Sequence, residues 1–274
     1  MADAAHQEHR TQSWEAPNLV KINLVGLATI VRKESRRVVR IWVQTIVPPA
    51  ITMTLYFVIF GSLVGSRIGQ MDGVPYTSFI APGLIMMAVI TNSFANVVSS
   101  FFSSKLMLHL EEMLVAPLAH ATIVVGFVVG GIVRGLLVAA LVTVVALFFT
   151  ELKVAHPLIM LSTILLTAVV FSLAGLFNAI FAKTFDDISI IPTFVLTPLT
   201  YLGGVFFSIS LLPPVWQKVA LVNPILYMVN AFRYGMLGRS DIPIGVAYTI
   251  MLALCAVFFA AVLIMLRRGT GTRA

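Results

Sequence analysis

The chain has 274 residues, of which 59% are hydrophobic and 11% are charged, and its formal net charge is +7 at pH 7. The charged fraction is about half that of an average soluble domain, so the composition excludes an ordinary soluble protein and predicts an integral membrane protein. The one cysteine, Cys255, excludes an intramolecular disulfide and a cysteine-cluster metal site.

The N-terminal part of the chain divides into a polar tail and a basic helix. Residues 1–17 contain no apolar stretch typical of a signal peptide, and we expect a disordered tail. Residues 18–40 predict an amphipathic helix that lies in the lipid headgroup layer, either as a plain anchor or also as a docking surface for a partner. Its apolar residues are Val20, Leu24, Leu27, Val31 and Val38, and its basic residues include Arg32, Lys33, Arg36, Arg37 and Arg40.

Six apolar runs are long enough to cross a hydrocarbon core, which takes about 20 helical residues. They are Ile41–Val64, Tyr76–Phe102, Thr122–Phe149, Pro157–Ala182, Ile188–Phe207 and Ile244–Leu266. The sequence therefore predicts an all-α protein with six transmembrane helices over residues 41–266, followed by a tail at residues 267–274.

The distribution of Lys and Arg predicts the orientation. The tail, the first helix, the second and fourth connections and the C-terminal segment hold twelve of these residues, whereas the opposite side holds five. Because cytoplasmic connections retain positive charge, we expect both termini in the cytoplasm. The same bias accounts for most of the net charge, so the sequence predicts a phospholipid membrane partner and no nucleic-acid partner.

The second connection, residues 103–121, has the pattern of a short amphipathic helix. Ser103 or Ser104 can cap it, and Pro117 ends it. An apolar stripe here either packs on neighbouring spans or docks into the groove of a partner protein. The stripe consists of Leu106, Leu110, Met113 and Leu114, and the residues facing elsewhere are Glu111 and Glu112.

Polar side chains within the spans are costly and often face a bundle interior. Two stripes at helical spacing are candidates to line a pathway or a dimer interface, or they make ordinary interhelical hydrogen bonds. They are Asn92, Asn96, Ser99 and Ser103 in the second span, and Ser189, Thr193, Thr197 and Thr200 in the fifth. Arg134, well inside the third span, is expected to meet an anionic lipid-like substrate or to bond carbonyls that the prolines of the fifth span leave free.

Residues 208–243 follow the fifth apolar run. Within them the apolar sequence is interrupted by a proline pair and then resumes for a stretch too short to cross a membrane. Interrupted apolar helices survive in lipid only against protein or water, so the pattern is typical of a transport pathway. It predicts two re-entrant half-helices that form a gate, or else a loop lying flat on the membrane. The breakers are Pro213, Pro214 and Pro224, the interfacial anchors are Trp216 and Tyr227, and Asn223 is placed to cap the second helix.

Several long motifs resemble one family. EEMLVAP at Glu111–Pro117, FAKTFDDIS at Phe181–Ser189 and PTFVLTPLTYLGGVFF at Pro192–Phe207 are similar to the permease subunits of bacterial ABC-2 type transporters. RIWVQTIVPPAITMTLYFVIFG at Arg40–Gly61 and APGLIMMAVITNSFANVVSSFF at Ala81–Phe102 narrow the resemblance to permeases of the enterobacterial inner membrane. The match runs from about residue 31 to the C-terminus.

The resemblance implies an ABC-2, or type V exporter-like, fold: an amphipathic connecting helix, six spans, a cytoplasmic coupling helix and extracytoplasmic re-entrant half-helices. It implies an exporter of the bacterial inner membrane, in which two copies of the permease pair with two copies of a separate ABC ATPase. That ATPase binds ATP and Mg, so no cofactor is expected in this chain. By position, the coupling role falls to Glu111, Glu112, Met113, Leu114 and Pro117, flanked by Arg32, Arg36 and Arg37.

The sequence is also informative about enzymatic activity. It contains no G-x-x-x-x-G-K-[ST] phosphate loop and no connection long enough for a nucleotide-binding domain, so we expect ATP hydrolysis in a partner and no enzyme in this chain. All five histidines lie in tails or connections and no predicted span carries a carboxylate, which argues against an intramembrane enzyme. A secondary transporter or channel that needs no ATPase is the alternative.

Overall fold

The computed structural model describes residues 18–271, which form ten helices, a further 3-10 helix of three residues at Ile209–Leu211 and one short β-hairpin. The predicted tail at residues 1–17 and the last three residues of the predicted C-terminal tail lie outside the described part. The elements are α1 (Leu19–Arg40), α2 (Trp42–Ile68), β1 (Gln70–Met71), β2 (Val74–Pro75), α3 (Tyr76–Leu106), α4 (His109–Val115), α5 (His120–Leu147), α6 (Pro157–Phe181), α7 (residues 187–201), α8 (Pro214–Val222), α9 (Pro224–Leu237) and α10 (Ile244–Arg267).

Five of these helices, α2, α3, α5, α6 and α10, are long and apolar enough to cross a membrane. The prediction of a fifth span over Ile188–Phe207 is wrong in its second boundary, because α7 ends at Tyr201. At about 1.5 Å per residue, α7 is roughly 22 Å long, whereas a hydrocarbon core is about 30 Å thick. The chain turns after α7 because Gly204 adopts a φ of +73°, a left-handed conformation that glycine adopts without strain.

Helix α3 forms the centre of the bundle and packs against α5, α6 and α9. Within its most apolar stretch, 78% of the residues are buried, whereas the corresponding figure for α2 and for α10 is 17%. Helices α2 and α10 therefore lie at the periphery, where their apolar side chains are available to lipid. The hydrophobic effect does not drive helices together in lipid, so close packing and interhelical hydrogen bonds hold the centre.

Helix α1 packs lengthwise against the first half of α5. An added Cβ would lie 2.5 Å from Ile30 at Gly126 and 2.7 Å from Glu34 at Gly130, so the missing side chains of α5 let α1 approach closely. The residue numbers increase in the same direction on both helices from the first contact to the second, and α1 and α5 are therefore parallel. The expectation that α1 lies with its apolar face on headgroups is wrong for its second half, because the buried residues Ile30, Glu34 and Val38 contact protein.

The bundle has two ends, which we call the terminus end and the loop end. At the terminus end, Lys105 near the end of α3 reaches the backbone after α6, and Gly271 lies against Ile180. At the loop end, the β-hairpin residue Gly73 lies against Arg239, which follows α9. The hairpin, α8 and α9 thus share the end opposite to α4.

Candidate functional site

Helix α4 at the terminus end is where the sequence predicts a partner-docking element. The helix exists, but the prediction that Ser103 or Ser104 caps it is wrong, because α3 continues through both serines to Leu106. The chain turns at Met107 and Leu108, and Leu108 takes a φ of +61° to begin α4 without a side-chain cap. The apolar sequence of α3 extends its helix beyond the span, and a cap signal inside a continuing helix has no effect.

The faces of α4 divide between core and solvent. Leu110 is fully buried, and Met113 and Leu114 pack against the core. Three of the four residues of the predicted apolar stripe therefore pack on the bundle, whereas the fourth, Leu106, is exposed. The other exposed residues are Met107, Leu108, His109, Glu111, Glu112, Pro117 and Val115, the last with 87% of its surface accessible.

The exposed apolar residues Met107, Leu108 and Val115 were not predicted from the sequence. A signal existed in the pattern: Val115 lies outside the helical spacing of Leu110 and Leu114, which pack toward the core, so a valine at that position faces away from it. Exposed valine and methionine beside two carboxylates form a mixed apolar and acidic surface, which we call the docking surface. Such a surface at the end of a bundle is typical of a protein contact.

Helix α1 is tied to the segment that follows α4. Asn23 Oδ1 accepts hydrogen bonds from the Ala119 backbone amide at 2.7 Å and from Thr122 Oγ1 at 2.8 Å. Gly26 lies directly against Leu118. These contacts join α1 to the connection between α4 and α5.

The three basic residues assigned to coupling have different surroundings in the structure. Arg32 and Arg36 are exposed, as a docking or headgroup role requires. Arg37 points inward, and its Nη2 donates to both the backbone oxygen and Oδ1 of Asn96, each at 2.8 Å. The Arg37 guanidinium is thus engaged between α1 and α3 and is not presented to a partner, and its role in coupling stays a prediction.

A charged cluster, which we call the inner charge cluster, joins α1 to α3. Glu34 is fully buried; its Oε2 accepts from Ser100 Oγ at 2.7 Å and lies 3.4 Å from Arg37 Nε. Together with Asn96, these residues fix α1 laterally and lengthwise. Glu34 was not predicted as a site residue, although its spacing of four from both Ile30 and Val38 places it on the same helix face.

Arg134 of α5 lies near Arg37 and repels it. Within residues 18–271 its Nε is buried without a hydrogen-bond partner, and the described hydrogen bonds include none from Arg134 to α7. The expectation that Arg134 bonds carbonyls freed in the fifth span is therefore wrong. Pro192 cannot donate to the Ile188 carbonyl, and Asn178 Nδ2 donates to that oxygen instead, at 3.5 Å.

The two predicted polar stripes differ in their surroundings. Asn92 and Ser99 bond within α3, to the backbone oxygens of Ala88 and Asn96. In α7 the polar residues also bond locally: Thr200 donates to Leu196 and Thr197 to Pro192, while Thr193 and Thr197 are exposed. Asn92 and Asn96 are buried in the bundle, whereas α7 presents a polar face outward. Their role in lining a pathway stays a prediction.

Asn223 at the loop end makes the contacts expected of a helix cap. Its Oδ1 accepts from the Ile225 backbone amide at 3.0 Å, which confirms the predicted cap of α9, and Pro224 occupies the first turn. Its Nδ2 also donates to the Leu199 carbonyl of α7 at 2.6 Å. Asn223 therefore joins α7 and α9, and the sequence indicated only its cap of α9.

The other predicted gate residues lie around α8. Pro213, Pro214 and Trp216 are exposed, and Trp216 retains 52% of its surface. Tyr227 donates from its hydroxyl to the Leu221 carbonyl at 2.7 Å, which holds α8 against α9. Two short helices at this end agree with the predicted pattern, and whether they re-enter a membrane stays a prediction.

The segment after α7, residues 202–208, is a buried turn. The Tyr76 hydroxyl donates to the Phe206 carbonyl at 3.0 Å, and Arg233 Nη2 donates to the Gly204 carbonyl. These bonds supply partners for backbone that has left a helix in an apolar setting. Arg233 lies in the segment that the sequence placed outside the spans, but only 2% of it is exposed.

Two charged groups at the terminus end also have structural roles. Lys105 Nζ donates to the Ile180 and Ala182 carbonyls, at 3.2 and 2.9 Å, where α6 ends. Asp187 accepts from the Lys183 and Thr184 backbone amides, at 2.8 and 2.9 Å, and these bonds lower the pKa of the Asp187 carboxyl. The FAKTFDD motif is therefore a capped connection between α6 and α7.

Comparison with known proteins decides the family. The model of the ABC-2 type transporter family matches residues 26–237, a range that includes the docking surface, the inner charge cluster and all the predicted gate residues. The chain belongs to the ABC-2 type transporter family. It is a membrane permease of that family, and permeases of this kind work with an ATPase subunit.

Individual relatives agree with this assignment. The inner membrane transport permease YadH of Escherichia coli strain K12 is 55% identical over 249 residues, which cover 91% of this chain and 97% of YadH. Nodulation protein J of Rhizobium leguminosarum bv. viciae is 27% identical over 186 residues, covering 68% of this chain and 72% of that protein. Nodulation protein J of Rhizobium meliloti strain 1021 is 24% identical over 215 residues, or 78% and 82%.

Proposed function

We propose that this ABC-2 permease is the membrane subunit of an exporter in a bacterial inner membrane, powered by a separate ATPase. Two copies of the chain pair with two ATPase subunits, and both termini lie in the cytoplasm. The ATPase binds ATP and Mg, and its closure moves α4. A path between the two permease copies then opens toward the opposite side, past α8 and α9.

The observation that carries the proposal is the docking surface on α4. Glu111, Glu112 and Val115 are exposed, while Leu110 anchors the same helix in the core. A short helix that is anchored in the core transmits a displacement better than a flexible loop does, because its side chains already have fixed positions. The acidic and apolar chemistry of this surface suits a partner that presents a basic rim around an apolar groove.

The inner charge cluster supplies the next step. Movement at α4 reaches α1 through Asn23 and Leu118, and α1 is fixed to α3 through Arg37 and Asn96. Helix α3 is the most buried of the five spans. A displacement at the docking surface is thus passed to the centre of the bundle through the short connection at residues 116–119 and through α1.

The proposal is tested with full-length permease purified in mild detergent together with its ATPase. We expect ATP hydrolysis in the complex, and we expect Val115→Asp to reduce ATPase binding because a carboxylate replaces an apolar contact. Val222→Asp is a matched control, since Val222 is 83% exposed at the loop end. Equal loss with both variants would count against docking at α4.

The alternative function is a secondary transporter or channel that works without an ATPase. It is separated from the proposal by measuring solute movement in proteoliposomes that contain only the permease and no ATP. The proposed exporter moves no solute under these conditions. Sustained movement along an ion gradient would support the alternative and contradict the exporter.

A further inference from the structure

A small polar cavity of about 180 Å³ lies at the loop end, apart from the docking surface and the inner charge cluster. It is bounded by the hairpin, the start of α3 and the segment after α9. The residues that matter for its chemistry are Asp72, Phe79, Arg233, Arg239, Ser240 and Asp241. We call it the outer polar cavity.

Arg233 forms the floor of this cavity and retains unused donors. Its guanidinium lies over the Phe79 ring, with Cζ 4.0 Å from the ring centroid, and its Nη2 donates to the Gly204 carbonyl. Its Nε and Nη1 are buried and have no hydrogen-bond partner in residues 18–271. Because unpaired donors of a buried charged group are costly, the cavity favours an occupant that presents acceptor oxygens to Arg233.

The other charges of the cavity restrict what that occupant can be. The carboxylates of Asp72 and Asp241 are close enough to attract Arg233, yet neither forms an ion pair with it among the described residues. Asp241 accepts from Ser208 Oγ at 3.1 Å, and the hairpin brings Gly73 against Arg239. Two guanidinium groups and two carboxylates surround the space, so a simple anion or a simple cation meets repulsion from half of them.

The cavity continues into a groove that leads toward the lipid-facing surface. The groove, of about 610 Å³, shares Arg239, Ser240 and Asp241 with the cavity and extends to Ile244, the first residue of α10. Beyond it, exposed apolar residues follow along α10, namely Val246, Leu252 and Val257. An acyl chain lying along α10 would therefore bring its headgroup to the mouth of the cavity.

We propose that the outer polar cavity binds the headgroup of a zwitterionic phospholipid that carries a phosphate and a primary ammonium, as phosphatidylethanolamine does. The phosphate accepts hydrogen bonds from Arg233 and Arg239, and the ammonium donates to Asp72 and Asp241. This site does not depend on the proposed exporter function or on the orientation of the chain. It gives the loop end a lipid contact that fixes α9 relative to α10.

Native mass spectrometry of the full-length permease tests the proposal directly. The protein is exchanged into detergent with equal amounts of phosphatidylethanolamine, phosphatidylglycerol and phosphatidylcholine of the same acyl chains. We expect phosphatidylethanolamine to be retained at least about tenfold over the other two, because phosphatidylglycerol lacks the cation and phosphatidylcholine lacks N–H donors. Equal retention of the three lipids would overturn the proposal.

Two exposed residues allow the site to be altered without disturbing the core. Arg239→Gln and Asp72→Asn should each lower retention of phosphatidylethanolamine about tenfold, whereas Lys218→Gln, an exposed cation of α8, should leave it unchanged. Glycerophosphoethanolamine, which lacks acyl chains, should compete at least about a hundredfold more weakly than the lipid, because it buries no apolar surface. Wild-type retention in both cavity variants, or equal competition by the soluble headgroup, would contradict a lipid site.

Discussion

The two ends of the bundle bind inward-pointing arginines in different ways. At the terminus end, Arg37 is paired with Glu34 and bonded to Asn96, so its charge is used to join two helices. At the loop end, Arg233 is held by the Gly204 carbonyl and the Phe79 ring, and two of its nitrogens remain free beside a cavity. The first arrangement transmits position within the chain, whereas the second leaves binding capacity for a molecule from outside.

Glu34→Leu breaks the arrangement at the terminus end and has the largest expected effect on stability. It leaves Arg37 without a carboxylate, and we expect a loss of about 3 kcal/mol, the low end of the range for breaking a buried ion pair, because Arg37 keeps 27% exposure. The measurement is the midpoint of thermal unfolding in mild detergent. Glu34→Gln combined with Arg37→Gln should be more stable than Glu34→Leu; equal destabilisation would contradict the pairing.

Arg233→Met tests the arrangement at the loop end. The substitution leaves the Gly204 carbonyl unpaired and also removes a buried charge with no ion-pair partner in the described chain, so we expect a loss of about 1–2 kcal/mol. The midpoint of thermal unfolding should therefore fall less for Arg233→Met than for Glu34→Leu. A larger loss than that of Glu34→Leu would mean that Arg233 is as firmly paired as Arg37.

Asn223→Ala and Asn18→Ala compare helix caps at the two ends. Both asparagines accept from backbone amides of the helix that follows, but Asn223 is buried and also bonds Leu199, whereas Asn18 is exposed. We expect a loss of about 1–2 kcal/mol for Asn223→Ala and about 0.5 kcal/mol for Asn18→Ala. Equal shifts in the unfolding midpoint would show that the bond to Leu199 adds no stability.

The apolar runs predicted most of the fold. Their length and the proline and asparagine signals located five spans and the cap at Asn223, because these features depend on local sequence. The end of α7 was placed beyond the turn because residues 202–207 are as apolar as a span, and the positive φ of Gly204 is not visible in hydropathy. The resemblance to the ABC-2 family gave the correct family but no side-chain contacts.

The contacts that define the candidate sites were harder to predict. The sequence pattern around Glu34 and Arg37 is that of a surface helix. Their inward contacts arise because Gly126 and Gly130 let α1 pack closely against α5. In the sequence, Arg233 has the pattern of a charge in a connection. It is buried because the turn at residues 202–208 supplies a carbonyl partner. Both cases depend on residues distant in sequence, so helical periodicity alone cannot reveal them.

The most direct test of the account is the affinity of the ATPase for permease variants altered at each end. Binding of purified ATPase to detergent-solubilised permease is measured for the wild type, Val115→Asp and Val222→Asp, which change equally exposed valines at opposite ends. If α4 docks the ATPase, Val115→Asp weakens binding at least about tenfold and Val222→Asp leaves it unchanged. Unchanged binding of Val115→Asp, or an equal loss with Val222→Asp, would contradict docking at α4.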